Sequence, residues 1–316
     1  MILNSIILVV GFIVLIKGAD LFVDAASSLA ENFNISKMLI ALTIVSFGTS
    51  APEFAVSIKS MLSNSGDIVL GNVIGSNILN ILLILGVSSL VHPLTVKSAT
   101  VKKELPITLM ITTLLIVLIS DIFISNNATN ALTRSDGITI CLFFLVFVYY
   151  LISVMRNKTD DENGAPKYSI FKSILFSIIG IICLILGSNA VVDSASDIAK
   201  MLGVSERMVS LTIIALGTSL PELVTSVIAT KKGEYDIAMG NVVGSNIFNI
   251  GVVLGVPLAL FGTISNISIS NIDLVALFLS TLLLFIYSLK NYKITKGEGF
   301  SFLVLFVIYY SYVIFV

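Results

Sequence analysis

Long apolar runs broken by short polar connections repeat along the chain from one end to the other. A membrane-crossing helix needs about 20 apolar residues. Ten stretches meet that need, at 5–30, 37–62, 67–91, 105–123, 136–155, 169–199, 207–230, 236–262, 272–290 and 299–316. The most polar connection, Arg156 to Lys167, carries charge of both signs with Gly164 and Pro166 and lies midway, so it reads as a linker. The pattern predicts an all-α integral membrane protein with ten transmembrane helices. A first five-helix unit occupies 1–155, a linker 156–168, and a second five-helix unit 169–316.

The two units repeat each other. Gly48-Thr49-Ser50-Ala51-Pro52-Glu53 returns 169 positions later as Gly217-Thr218-Ser219-Leu220-Pro221-Glu222. Gly71-Asn72-Val73-Ile74-Gly75-Ser76-Asn77-Ile78-Leu79-Asn80 returns at the same offset as Gly240-Asn241-Val242-Val243-Gly244-Ser245-Asn246-Ile247-Phe248-Asn249. Gly18 likewise answers Gly187, Asp24 answers Asp193, and Ile35-Ser36 answers Val204-Ser205. Five is an odd number, so the second copy enters the membrane from the opposite side and the halves form inverted-topology repeats. Secondary transporters use that architecture, with their site near mid-bilayer at the repeat interface. On alternating connections, thirteen of the eighteen Lys and Arg residues share one side. Only Lys59, Arg134, Lys200 and Arg207 fall on the other, and Lys17 lies inside the first span. Basic residues mark cytoplasmic loops, which predicts a multi-pass cell-membrane protein with a cytoplasmic linker and both termini extracellular.

Composition agrees with this reading. Hydrophobic residues make up 56% of the chain, charged residues 12%, and the mean hydropathy is +1.05, against roughly 25% charged in a soluble domain. The net charge of −1 gives no reason to expect nucleic acid or an anionic surface as partner, and no protein partner is implied. Cys141 and Cys183 have no thiol or histidine at metal-ligand spacing and read as apolar fillers. The first span holds Lys17, Asp20 and Asp24 and is too long for a signal-peptide core, so it reads as a retained helix. His92, beside Pro93 at a span end, reads as interfacial. Tyr149, Tyr150, Tyr309, Tyr310 and Tyr312 read as interfacial anchors, and Asp24 and Asp193 as solvated helix ends.

An ionisable group inside a membrane segment is costly and by default marks an ion path. Each motif carries one, Glu53 or Glu222, with no basic residue nearby in sequence. Pro52 and Pro221 fall near the middle of their spans, where they free the carbonyls of Gly48 and Gly217. Such carbonyls need a partner in lipid, and a cation is suitable. Thr49 and Ser50 share a helical face with Glu53, as Thr218 and Ser219 do with Glu222. Asn72, Ser76 and Asn80 recur every four residues, and Asn241, Ser245 and Asn249 repeat that row. Asn72, Asn77, Asn241 and Asn246 fit either an ion-facing role or an amide bonded across to a neighbouring helix. Gly71, Gly75, Gly240 and Gly244 form small-xxx-small pairs that permit close helix approach. The donors are all oxygens, which favours a hard cation such as calcium over soft metals. Two carboxylates balance one divalent or two monovalent ions, so the two kinds compete for the site.

The doubled Gly-Thr-Ser-x-Pro-Glu and Gly-Asn-x-x-Gly-Ser-Asn-x-x-Asn motifs, in a ten-span chain, resemble the sodium/calcium exchangers of the cation/calcium antiporter superfamily, above all the compact prokaryotic members. The resemblance covers essentially the whole chain. It implies a secondary-active antiporter, with no cofactor, that exchanges about three sodium ions for one calcium. It also implies that the second, third, seventh and eighth helices form a central diamond of four ion sites, and that the long first and sixth helices slide to give alternating access. Carried over by position, the ligands fall on Glu53 and Glu222, Ser76 and Ser245, Thr49, Ser50, Thr218 and Ser219. The carbonyls of Ser46 and Ala215 join them, and Asn80 and Asn249 complete the centre. Several archaeal and potassium-dependent relatives carry an aspartate at one central position, whereas both are asparagine here, which points away from potassium cotransport.

Other classes fit less well. An intramembrane serine protease needs a base beside Ser50 or Ser219, and the lone His92 cannot serve both; an aspartyl type needs paired aspartates that the motifs lack. A passive channel sits poorly with broken helices in inverted halves. The runner-ups within the exchanger reading are proton/calcium antiport, where relatives usually carry a carboxylate in the third-helix motif in place of Asn77 and Asn80, and potassium-dependent sodium/calcium antiport.

Overall fold

The computed structural model describes residues 1–124, 129–156, 165–204, 209, 213, 215–265, 267, 269–290 and 292–315, and only the backbone of Phe123, Ile124 and Ala215. Most of the expected linker and the start of the seventh expected span, with Ser205 and Arg207, lie outside the described residues.

The described helices are α1 (Ile2–Phe33), α2 (Lys37–Thr49), α3 (Ala51–Leu62), α4 (Gly66–Val91), α5 (Leu105–Ile119), α6 (Arg134–Arg156), α7 (Ile170–Met201), α8 (Leu220–Lys231), α9 (Tyr235–Phe261), α10 (Asn271–Leu289) and α11 (Lys296–Phe315). Among the described residues, seven are long and apolar enough to cross a membrane, or eight if α2 and α3 form one bent span. The 15-residue α5 falls short alone but is continued at its start by a π-helical turn, Thr100–Glu104.

The prolines act differently from the mid-helix expectation. Helix α2 ends at Thr49 and α3 begins at Ala51, with a 49° bend. Pro52 lies in the first turn of α3, where a missing N–H costs nothing and a fixed φ suits the helix. Pro221 does the same for α8, and the junction residues Ser50 (φ −83, ψ 8) and Ser219 (φ −88, ψ 6) adopt nearly one conformation. The motif thus builds a helix break twice.

Helices α1 and α7, 32 residues each, extend about 48 Å, well beyond a bilayer core of about 30 Å. They pack along their length through glycine. A Cβ at Gly187 would lie 2.7 Å from Leu15 N and 3.0 Å from Gly11 O, and one at Gly18 would lie 2.6 Å from Cys183 Cβ and 3.2 Å from Gly180 O. Gly11 thus faces Gly187 and Gly18 faces Gly180, so α1 and α7 run antiparallel. Without side chains, the backbones approach as closely as small-residue seams in membranes allow.

Helices α4 and α9 form the centre, with 72% and 83% of their apolar windows buried, against 11% for the peripheral α11. A short antiparallel pair, β1 (Leu94–Thr95) with β2 (Lys293–Ile294), ties the end of α4 to the α10–α11 connection. At that end of the molecule the charges pair. Lys232 Nζ reaches Asp20 at 2.8 Å and Asp24 at 2.5 Å, Lys167 Nζ reaches Asp24 at 2.5 Å, and Lys37 Nζ reaches Glu234 at 2.7 Å and Glu31 at 3.2 Å. The hydrogen bond that Lys167 donates to the Asp24 carboxylate holds its ammonium above the ordinary lysine pKa. Asp24 is therefore not a merely solvated helix end, while Asp193 is exposed. His92 stacks on Tyr235 at 5.0 Å beside the same end.

Candidate cation site

The two breaks face each other across α4 and α9. Ser50 Oγ donates to Glu222 Oε1 at 2.9 Å and lies 3.0 Å from Ser245 Oγ. Reciprocally, Ser219 Oγ donates to Glu53 Oε1 at 3.4 Å and lies 3.4 Å from Ser76 Oγ. Each carboxylate is held by the serine three residues ahead of the other, which draws both acids and the Ser76 and Ser245 hydroxyls into one cluster. Glu53 and Glu222 are each 1% exposed, and among the described residues neither takes part in a salt bridge.

Asparagines brace the acids from behind. Asn72 Nδ2 donates to the Glu53 carbonyl at 3.1 Å and reaches Ser57 Oγ at 3.3 Å; Asn241 Nδ2 donates to the Glu222 carbonyl at 3.3 Å and reaches Ser226 Oγ at 2.9 Å. Thr49 Oγ1 donates to Asn241 Oδ1 at 3.0 Å. At the crossing of α4 and α9, Asn77 and Asn246 bond across to the opposite helix, so the interhelical reading holds for these four amides. The central asparagines open the π-helical turns Asn80–Leu85 and Asn249–Leu254. Such turns widen a helix locally and concentrate at functional sites.

Four buried side-chain oxygens at this crossing have no hydrogen-bond partner among the described residues: Glu53 Oε2, Glu222 Oε2, Asn80 Oδ1 and Asn249 Oδ1. Asn80 and Asn249 follow Ser76 and Ser245 by one helical turn and so share their face. A buried acceptor left unpaired costs about 1–3 kcal/mol, and four together, two of them on carboxylates, match what an oxygen-seeking cation would satisfy.

The other expected donors divide. Thr218 lines a cavity next to Ser76. The Ser46 carbonyl accepts from Ser50 N at 3.0 Å and Thr49 Oγ1 at 3.4 Å, so part of its capacity is used. Ala215 opens a single helical turn, Ala215–Gly217, ahead of the second break. The Gly217 carbonyl is taken by Ser188 Oγ at 2.8 Å, so a side chain of α7 does what a cation was expected to do there. At the matching position of α1 stands Ala19, which has no hydroxyl.

A cavity of about 670 Å³ reaches this cluster. Its wall includes Ile68, Asn72, Ser76, Thr218, Ser270 and Asp273. It opens beside the start of α4, opposite the end where the lysines and acids pair. Cβ atoms at Gly71 and Gly75 would meet nothing within 4 Å, whereas at Gly240 one would lie 2.5 Å from Ala41 Cβ and at Gly244 2.8 Å from Ser46 Oγ. Close approach was expected of both glycine pairs; only the second copy makes it, because the first borders open space.

The family profile described as sodium/calcium exchanger protein matches residues 3–153 and 172–315. The chain belongs to the sodium/calcium exchanger family. Its similarity to individual members runs nearly full length. It is 37% identical over 272 residues to the inner membrane protein YrbG of Escherichia coli K12, covering 81% of this chain and 80% of that one. It is 29% identical over 346 residues to the sodium/calcium exchanger MaX1 of Methanosarcina acetivorans, covering 96% of each. Its fold matches that of the sodium-calcium exchanger NCX_Mj with a TM-score of 0.84 at 30% identity, covering 97% of each chain. The first of these relatives is an inner membrane protein, and the other two are sodium/calcium exchangers.

Two half-buried contacts of this exchanger-family chain join acids to tyrosines far away in sequence. Tyr150 Oη donates a very short hydrogen bond to Glu104, and Tyr309 Oη donates to Asp273 at 2.9 Å in the cavity wall. Each tyrosine holds an acid of another helix; nothing in the sequence pairs them, because no helical period relates residues on separate helices.

Proposed function

We propose that the protein is a sodium/calcium antiporter whose ions bind at the crossing of α4 and α9. Two unpaired carboxylate oxygens and two unpaired amide oxygens, buried and, among the described residues, in no ion pair with an ammonium or guanidinium group, carry this reading. Glu53 and Glu222 supply the charge. Ser76, Ser245, Thr49, Ser50, Thr218 and Ser219, with the carbonyls of Ser46 and Ala215 and the amides of Asn80 and Asn249, supply the remaining oxygens. Calcium takes six to eight oxygens in flexible geometry. One calcium neutralises both acids; three sodium ions leave one net positive charge, which makes a three-for-one cycle electrogenic.

Alternating access follows from inverted halves of five helices. The antiparallel seam of α1 and α7 and the mirrored serine and asparagine bonds support that inversion. The cavity reaches the cluster from the end opposite the paired lysines. With basic loops inside, that end is extracellular, as are both termini, and the structure is outward-facing.

The deciding experiment uses purified protein in liposomes. Vesicles loaded with sodium and diluted into sodium-free buffer should take up labelled calcium, and potassium should add nothing. Uptake driven equally by a pH gradient alone would overturn the sodium assignment in favour of proton coupling.

A further inference from the structure

Four hydrogen bonds knit the centre of the crossing, and their directions matter more than their number. Asn77 Nδ2 donates to the backbone carbonyl of Asn246 at 3.2 Å, and Asn246 Nδ2 donates to the carbonyl of Asn77 at 3.3 Å. The other ends of these amides accept. Asn249 Nδ2 donates to Asn77 Oδ1 at 3.1 Å, and Asn80 Nδ2 donates to Asn246 Oδ1 at 2.9 Å. All four side chains are at most 1% exposed.

An amide can be turned end for end with little change of shape, so its orientation is fixed only by its partners. Here the partners leave no choice. A backbone carbonyl only accepts, so the end of Asn77 that faces Asn246 O must be its NH₂. Its oxygen then faces Asn249, which must answer with NH₂, and the Asn249 oxygen is left turned toward the interior. The same chain of logic runs from Asn77 O through Asn246 to Asn80. Turning either outer amide would set oxygen against oxygen in a water-poor interior, where unpaired acceptors are costly.

We propose that Asn77 and Asn246 are positioning residues that dictate which end of Asn249 and Asn80 meets the ions. They touch no ion themselves. Each transmits the polarity of a backbone carbonyl across one amide to another, so that an oxygen and never an N–H is presented to the bound cation. The inference rests on the cation-site reading, and adds that the second asparagine row serves as an orienting layer.

Calcium binding to the purified protein, measured by titration calorimetry without sodium, tests it. Asn77→Leu removes the acceptor that holds Asn249, frees that amide to turn, and should weaken calcium binding about tenfold or more. Asn249→Asp in the otherwise unchanged protein sets an oxygen against Asn77 Oδ1 and should not strengthen binding. In the Asn77→Leu background, however, both ends of the new side chain are oxygens and orientation ceases to matter, so binding should recover. That reversal of sign in a double-mutant cycle is one that a purely structural Asn77 would not produce. If Asn77→Leu fails to insert, Asn77→Ser replaces it, since a hydroxyl is too short to reach both partners; Asn246→Leu with Asn80→Asp repeats the cycle in the other half. Unchanged binding in Asn77→Leu, stronger binding in Asn249→Asp alone, or no recovery in the doubles overturns the proposal. A starting protein that binds no calcium would instead refute the cation site itself.

Discussion

Gly75 and Gly244 hold equivalent places in the two copies yet have opposite surroundings, and that contrast makes a quantitative test of alternating access. A methyl group added at Gly244 would lie 2.8 Å from Ser46 Oγ and 2.9 Å from Leu42 Cα, whereas at Gly75 it would meet nothing within 4 Å. Overpacking of this kind costs about 1–3 kcal/mol, against a helix-propensity gain for Gly→Ala of about 1 kcal/mol. Gly244→Ala should therefore be neutral to destabilising by about 2 kcal/mol. Gly75→Ala should be stabilising by up to about 1 kcal/mol. If the halves exchange surroundings when access switches sides, Gly75 enters the crowded environment in the opposite state. The propensity gain is common to both states and cancels, so the switch is biased against by about 1–3 kcal/mol, a population shift of roughly 5- to 150-fold. Thermal unfolding in detergent and calcium flux in liposomes read the two effects separately. The expected result for Gly75→Ala is an equal or higher melting temperature with transport reduced severalfold or more. Full transport in Gly75→Ala, or equal loss of stability in the two variants, would refute the exchange of surroundings.

Glu53→Gln or Glu222→Gln removes one of the two buried carboxylates proposed to hold the ion, and exchange should fall by about two orders of magnitude or more while the protein still inserts; near-normal flux in either variant would remove that acid from the site. One net charge per cycle is worth about 2.3 kcal/mol per 100 mV, so calcium uptake should respond to a potassium-diffusion potential set with valinomycin, and voltage-blind exchange would contradict the three-for-one ratio. Tyr150→Phe strips Glu104 of the hydroxyl it accepts from, at a pair outside the proposed site, and should lower stability by about 1–3 kcal/mol with little change in calcium affinity; an unchanged melting temperature would show that Glu104 finds another donor.

Much of the site was legible because duplication writes it twice. Glu53, Glu222, Ser50 and Ser219 could be named from the motifs, though not that each serine holds the other half's acid, and the helix breaks fall within two residues of the prolines that announce them. What stayed hidden depends on partners outside the motifs. The Gly217 carbonyl looked free until Ser188 of α7 was seen against it, and no period links positions 188 and 217. The asymmetry between Gly75 and Gly244 cannot be read from two nearly identical sequences at all, because it belongs to one conformation of the fold rather than to its composition. The central amides were half legible. Four-residue spacing placed Asn80 and Asn249 on the face of the serines, but the sequence could not say that Asn77 and Asn246 turn away to bond each other's backbone.

The glycines between α1 and α7 bear on how such a chain could arise. Position 11 faces 187 and 18 faces 180, and 180 and 187 are themselves the repeat counterparts of 11 and 18. The contact surface is therefore complementary to itself, the rule that governs twofold homodimers. Either half of the chain already contains both surfaces, so a half-length ancestor able to insert in either direction could pair with its own upside-down copy before any fusion joined them.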